Sequence, residues 1–300
     1  TIDRQCGSSQ QAVHFAAQAI MSGTMDVIVA GGVQTMTQIP IGSAMTSAAP
    51  LGFSDPFSGS EGWVERYGDV FVSQFNSAQM MADKWNLSRA DMEAYALRSH
   101  SRALSAIEQG YFDREICPLN GIKMDETPRV TSLEKMAELE PIQEGGSITA
   151  AVSSQTCDGA SAVLVVSEDA LKRYNLQPRA RIAHMSVRGA DPIWMLTAPI
   201  PATAHALKKA GMSIHDIDLV EINEAFAPVP MAWLAETGYD PDKTNVNGGA
   251  ISLGHPLGAT GAMVLGTMLD EMERQDLNTG LVNLCIGGGM GTSTIIERCN

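Results

Sequence analysis

Four stretches of this chain carry residue types that could do chemistry. The first is Asp3-Arg4-Gln5-Cys6-Gly7-Ser8-Ser9. It sits just before a run in which Val13, Ala16, Ala17 and Ile20 recur at helical spacing, ended by Gly23. A cysteine opening a helix meets unpaired N–H groups and a partial positive charge, which favour thiolate over thiol. Gly7, Ser8 and Ser9 leave room for a substrate; an inert, buried cysteine would also suit the place. The second stretch is Glu221-Ile222-Asn223-Glu224-Ala225-Phe226-Ala227, where a strand gives way to a helix. Polar residues there stand at the rim of a sheet, where α/β ligands bind, although Asn223 could simply cap the helix. The third runs from Asn247 to Gly261 around His255, with glycines that could serve close helix–sheet packing. The fourth is Asn283-Leu284-Cys285-Ile286-Gly287-Gly288-Gly289-Met290-Gly291, where Cys285 is either a reactive thiol or core filler. A zinc site built from these cysteines and His255 is disfavoured, because the spacings are wide and match no zinc pattern.

The elements that must position these residues alternate between strand and helix. A short apolar strand, Met25 to Gly32, ends in a glycine pair and reads as part of a buried parallel sheet. Ile39 to Gly68 is rich in Pro, Gly, Ser and Ala and reads as loop. Helical patterns cover Ser77 to Trp85 and, capped by Ser88 and Asp91, continue to Gln109; Leu133, Met136 and Leu139 suggest a short helix. Strands are predicted over Ala160 to Val166, Ala180 to Val187, Asp218 to Ile222, Leu281 to Ile286 and Thr292 to Arg298. Helices are predicted over Glu168 to Tyr174, Ala202 to Ala210, Glu224 to Glu236 and Gly258 to Glu273. The pattern predicts layered α/β architecture. Helix, strand and Gly31-Gly32 near the start are echoed by helix, strand and Gly287-Gly288 near the end, a hint of duplicated halves.

Composition bounds the function. Apolar residues at 44% and charged residues at 18% fit a well-cored globular chain of 300 residues. A net charge of −14 argues against nucleic acid and against anionic membrane surfaces as partners. The five cysteines are odd in number and scattered, which reads as free thiols in a reducing compartment. No apolar run reaches membrane-spanning length.

Taken together, Cys6-Gly7-Ser8, Asn223-Glu224-Ala225-Phe226-Ala227, Gly254-His255-Pro256 and Cys285-Ile286-Gly287-Gly288-Gly289-Met290-Gly291 resemble the motifs of the thiolases. These are acetyl-CoA acetyltransferases and 3-ketoacyl-CoA thiolases, and the resemblance extends over essentially the whole chain. Thr149 to Gly159 is similar to the family's pantetheine-binding segment, with Ser154 at its serine. The resemblance implies an α/β thiolase-like fold of two duplicated, layered halves (α-β-α-β-α) with an inserted covering domain. The N-terminal half would comprise residues 1–37 and 158–175, the cover residues 38–157, and the C-terminal half residues 176–300.

It also implies roles. Cys6 attacks the 3-keto carbon of a 3-ketoacyl-CoA while His255 takes its proton, since a plain thiol with a pKa of about 8.5 needs help at neutral pH. Cleavage expels the enolate of acetyl-CoA, which Cys285 protonates, and CoA then attacks the acyl-cysteine. One oxyanion would be held by His255 with a water on Asn223, the other by the backbone N–H groups of Cys6 and Gly287. Ser154, Gln74 and Phe75 would contact substrate. Arg129 would face the CoA phosphates or simply be a solvated surface residue. CoA is a substrate, no metal or bound cofactor is implied, and a cytoplasmic homodimer or homotetramer is expected.

Two departures stand out. Family members usually carry a long segment before the nucleophile, so a longer natural protein is expected. Many also carry His-Met-Gly or Ser-Met-Gly where this chain reads Ser73-Gln74-Phe75. That difference points away from acetoacetyl-CoA and toward longer or bulkier acyl groups, including steroid side chains. Two rival readings are a 3-ketoacyl synthase, which lacks a second catalytic cysteine such as Cys285, and a non-catalytic acyl-CoA or lipid carrier.

Overall fold

A computed structural model describes residues 1–57 and 59–299. Cys6 lies in a single 3-10 turn, Gln5–Gly7, that feeds directly into α1 (Ser8–Met21). The helix buries Gln10, Val13, His14 and Ala17, one face at 3.6-residue spacing.

The next strand departs from the expectation of a buried parallel strand. β1 (Val27–Thr35) runs on through the glycine pair and pairs antiparallel with β2 (Asp158–Val166), from Val27 opposite Val166 to Thr35 opposite Asp158. Side chains alternate across a strand. Ile28, Ala30, Val163 and Val165 therefore face the core, while Val29, Val33 and Leu164 point away and are 70%, 66% and 53% exposed. Gly32 sits inside the strand because a helix crosses it closely: a Cβ there would collide with the carbonyl of Gly258.

Between β1 and β2 lie α2 (Ser43–Thr46), α3 (Glu61–Tyr67), α4 (Gln74–Lys84), α5 (Arg89–Glu108) and α6 (Leu133–Ala137). The stretch expected to be loop thus holds two short helices. α3 is fixed locally: Ser60 caps it by accepting from the Trp63 N–H, and Trp63 packs on Phe57 and Tyr67 at 4.6 Å. Such a seven-residue helix leaves little hydrophobic period to read. The longer α5 carries the expected capping box, Ser88 with Asp91.

After α7 (Glu168–Tyr174) comes a four-stranded sheet built from β3 (Ala180–Gly189), β4 (Leu219–Ile222), β5 (Thr279–Ile286) and β6 (Met290–Arg298), in the order β3-β6-β5-β4. β5 and β4 are parallel; the other pairs are antiparallel. The remaining helices are α8 (Pro199–Ala210), α9 (Pro228–Thr237), α10 (Ala250–Leu253) and α11 (Leu257–Arg274). α9 starts at Pro228, not at Glu224. Proline suits the first helical position, and the preceding residues spend their backbone groups elsewhere: Ala227 N–H bonds to Val152 O and Ala225 O accepts from Ser154 N–H.

The layers follow from which faces are apolar. α1 and α11 lie side by side between the two sheets, packing on β1 and β2 and, through Val282, Leu284, Ile286 and Ile296, on one face of the larger sheet. Leu281, Cys285 and Ile295 face the other way, into a core shared with α4, α5, α8 and α9. Among the described residues no helix is long and apolar enough to cross a membrane.

Candidate active site

Each of the four stretches ends an element beside the same buried point. Cys6 closes the turn before α1, Asn223 follows β4, His255 precedes α11 and Cys285 stands near the end of β5. The Gly288–Gly289 turn, with φ of 80° and 82°, folds the chain back into β6 in a conformation that side chains disfavour. That turn presents the Gly287 N–H to the Cys6 sulfur.

Burial pushes the Cys6 thiol up to about 11, opposed by N–H groups of Gly287 and of Cys6 itself. The expectation that the helix start would favour the thiolate is therefore corrected: desolvation outweighs it at this half-buried position. Burial and the neighbouring Cys6 also raise Cys285, while the Asn223 amide and the Ala225 backbone act in the opposite direction. Burial pulls His255 down to about 4, so its imidazole is neutral at pH 7.

The hydrogen bonds assign its tautomer. Thr260 donates its hydroxyl proton to Pro256 O at 3.1 Å, so its Oγ1 accepts from His255 Nδ1–H at 2.7 Å. Nε2 is left with its lone pair, and Asn223 Nδ2 lies 3.3 Å from it. The same amide donates to Cys285, so Asn223 touches both groups and does not cap α9. Its Oδ1 is buried without a partner among the described residues. A neutral imidazole, a thiol with two N–H groups on its sulfur and a second thiol are thus gathered in one place.

The segment holding Ser154 is wedged between the loops that carry Asn223 and His255. Ser154 N–H bonds to Ala225 O at 2.9 Å, and His255 N–H bonds to Gln155 O at 2.9 Å. The Gln155 amide donates to Ile251 O at 2.9 Å, and its Oε1 accepts from Arg129 at 2.6 Å. Arg129 is otherwise exposed and lies outside the catalytic cluster. Phe75 is half-buried and stands edge-on to Phe226, ring centres 5.5 Å apart; Gln74 opens α4 beside it.

Sequence reasoning missed three residues of this site. Thr260 orients the histidine from one turn into α11. Gln155 ties together three loops. Glu224 is buried and accepts from Tyr95 Oη, Ser99 Oγ, Asn245 Nδ2 and the Ile251 N–H, locking both catalytic loops to α5. Only Glu224 had a signal, a charged residue among the polar positions where a strand gives way to a helix. No cluster of three or more His, Cys, Asp or Glu suited to a metal ion occurs among the described residues.

Known proteins match this arrangement over nearly its full length. Residues 1–169 match the family model for the thiolase N-terminal domain and residues 176–298 that for the thiolase C-terminal domain. The steroid 3-ketoacyl-CoA thiolase FadA6 of Mycobacterium tuberculosis is 60% identical over 302 residues, 99% of this chain and 74% of that protein. An acetyl-CoA acetyltransferase of Paracoccus denitrificans is 40% identical over 309 residues, 99% of this chain and 78% of its own. Human mitochondrial 3-ketoacyl-CoA thiolase, solved in complex with CoA, superimposes with a TM-score of 0.87 at 36% identity, covering all of this chain and 78% of that one. Sequence and fold agree across both halves, and on that ground the chain belongs to the thiolase family.

Proposed function

We propose that this protein is a 3-ketoacyl-CoA thiolase that transfers an acyl group through Cys6 to CoA, releasing acetyl-CoA, or runs the reverse condensation. The observation that carries this reading is the Asn223 amide, which reaches both His255 Nε2 and the Cys285 thiol. A second buried thiol beside the nucleophile is what carbanion protonation requires, and it argues against a 3-ketoacyl synthase. His255 takes the Cys6 proton on Nε2 and, once charged, donates to the first oxyanion. The free Oδ1 of Asn223 is suited to hold the water of that hole. Gly287 N–H and Cys6 N–H, already on the sulfur, serve the acyl-enzyme.

Ser154, Gln74 and Phe75 line the approach to Cys6, with Arg129 toward the CoA phosphates. Residues 38–157 act as the cover over halves formed by 1–37 with 158–175 and by 176–300. The substrate is bulky, a ring-bearing or steroid-derived 3-ketoacyl-CoA. The 60% identity to a steroid 3-ketoacyl-CoA thiolase supports this, as does Phe75 packed on Phe226. We expect a cytoplasmic homodimer or homotetramer, acting without a metal or bound cofactor.

Intact mass after mixing with acetyl-CoA tests the chemistry. Cys6 gains one acetyl group and Cys6→Ala gains none; acetylation elsewhere, or turnover by Cys6→Ala, overturns the assignment. Specificity is read from kcat/KM for a ring-bearing 3-ketoacyl-CoA against acetoacetyl-CoA. A preference for acetoacetyl-CoA removes the bulky-substrate reading alone.

A further inference from the structure

Gln10 lies one turn behind Cys6, on the face of α1 that packs against the larger sheet, and is 1% exposed. An apolar side chain would fill such a place at no polar cost. An amide there must have every group satisfied, or its burial is unfavourable. It is satisfied, and by two strands at once. Its Nε2 donates to Val282 O at 3.1 Å and to Thr294 Oγ1 at 2.6 Å, while its Oε1 accepts from the Thr292 hydroxyl. Thr294 also bonds to His14 Nε2, a turn further along the same face, at 2.7 Å.

The register gives these bonds their meaning. Val282 is paired with Thr294 and Leu284 with Thr292. Gln10 thus spans two successive same-face rungs of the β5–β6 hairpin, immediately behind Cys285 and the Gly287 turn. Apolar contact between a helix and a sheet is non-directional and tolerates sliding; hydrogen bonds to both strands do not. On its other side α1 is fastened to α11, where the Ala262 N–H donates to Ser9 Oγ at 3.0 Å. Neighbouring residues of one helix turn therefore face the hairpin and the helix that follows His255.

We propose that Gln10 is a positioning residue: it fixes α1 along the β5–β6 hairpin so that Cys6 stays under the Gly287 N–H and beside Cys285. The inference goes beyond the proposed thiolase chemistry but rests on it for its effect on turnover. Gln10 has no contact with the reacting atoms and acts through the placement of Cys6.

Gln10→Met keeps length and apolar packing but loses all three bonds. It is expected to lower kcat for thiolysis by about ten- to a hundredfold, the scale of a misplaced reacting group, with KM for the acyl-CoA nearly unchanged. Iodoacetamide labelling of Cys6, mapped by mass on its own peptide, is expected to need higher pH than in the parent. The groups facing Cys6 that could otherwise move that profile, His255 and Cys285, are present in every variant. Thr292→Val is expected to repeat both effects and Thr292→Ser to restore the parent values. Should Gln10→Met fail to fold, as judged by its melting transition, the Thr292 pair decides. Folded variants with parental kcat and a parental labelling profile overturn the proposal. So does a lowered kcat with an unchanged profile and a lowered melting temperature, the mark of a structural role alone. If the parent neither acetylates Cys6 nor cleaves 3-ketoacyl-CoA, the proposed function fails, while the labelling profiles still decide whether Gln10 places Cys6.

Discussion

At the scale of single residues, Cys6, the proposed nucleophile, is a thiol at rest. With Cys6 at about 11 and His255 at about 4, burial favours the neutral form of both. Charge separation is thus left to the encounter with substrate, when oxyanion donors come into use. This makes the histidine's orientation decisive. His255→Ala is expected to lower turnover by at least ~10²-fold, the loss measured for oxyanion donors. Thr260→Val removes the acceptor of Nδ1–H and frees the ring to adopt the other tautomer. A loss of about tenfold or more in kcat with little change in KM is expected, recovered by Thr260→Ser. Steady-state kinetics on the three variants check this; a Thr260→Val enzyme with parental kcat would show that packing alone holds the ring.

At the scale of elements, the proposed catalytic side chains stand on element ends, and separate short segments hold those ends together. Residues 152–155 bridge the Asn223 and His255 loops through backbone bonds, and Glu224 collects both loops onto α5. Four buried donors converge on one carboxylate. Glu224→Leu leaves them unpaired in a cavity shaped for a longer, polar group. Each unsatisfied donor costs about 1–3 kcal/mol, so a loss of at least ~3 kcal/mol is expected in urea unfolding. A loss under about 1 kcal/mol would mean that water replaces the carboxylate at little cost.

At the scale of the whole molecule, the long stretch between β1 and β2 is fastened to α11. Glu115, after α5, reaches α11, where Thr267 donates to it at 3.1 Å. Burial, then the nearby Asp270, push its carboxyl up to about 8 from an ordinary 4.5. Asp270 is itself clamped by Arg179, which also holds Glu273. A raised folded-state pKa means that the folded chain keeps a proton the unfolded chain has lost. Glu115 therefore contributes its full stability below pH 4.5 and loses it as pH rises toward 8. Glu115→Gln keeps an acceptor for Thr267 without the titration. Its melting temperature is expected to exceed the parent's by about 2 °C or more at pH 8.5 and to match it near pH 4.5. Equal melting temperatures at both pH values would remove the buried-acid interpretation.

The sequence alone carried the family and most of the elements. Cys6, Asn223, His255 and Cys285 lie in short motifs that can be read locally and that resemble the family's. The helix over Glu168–Tyr174 and one end of each of β3 to β6 follow from local period and capping, which are written in neighbouring residues. What depended on tertiary structure was everything set by residues far apart in the chain. The antiparallel pairing of β1 with β2, separated by more than a hundred residues, has no local signature. The same holds for Gln155 on three loops, for Thr260 behind His255, and for Gln10 across two strands, whose partners lie up to 284 positions away. The resting state of Cys6 is likewise tertiary. A helix start argues for thiolate in any sequence, but desolvation depends on what packs around it, and here packing prevails.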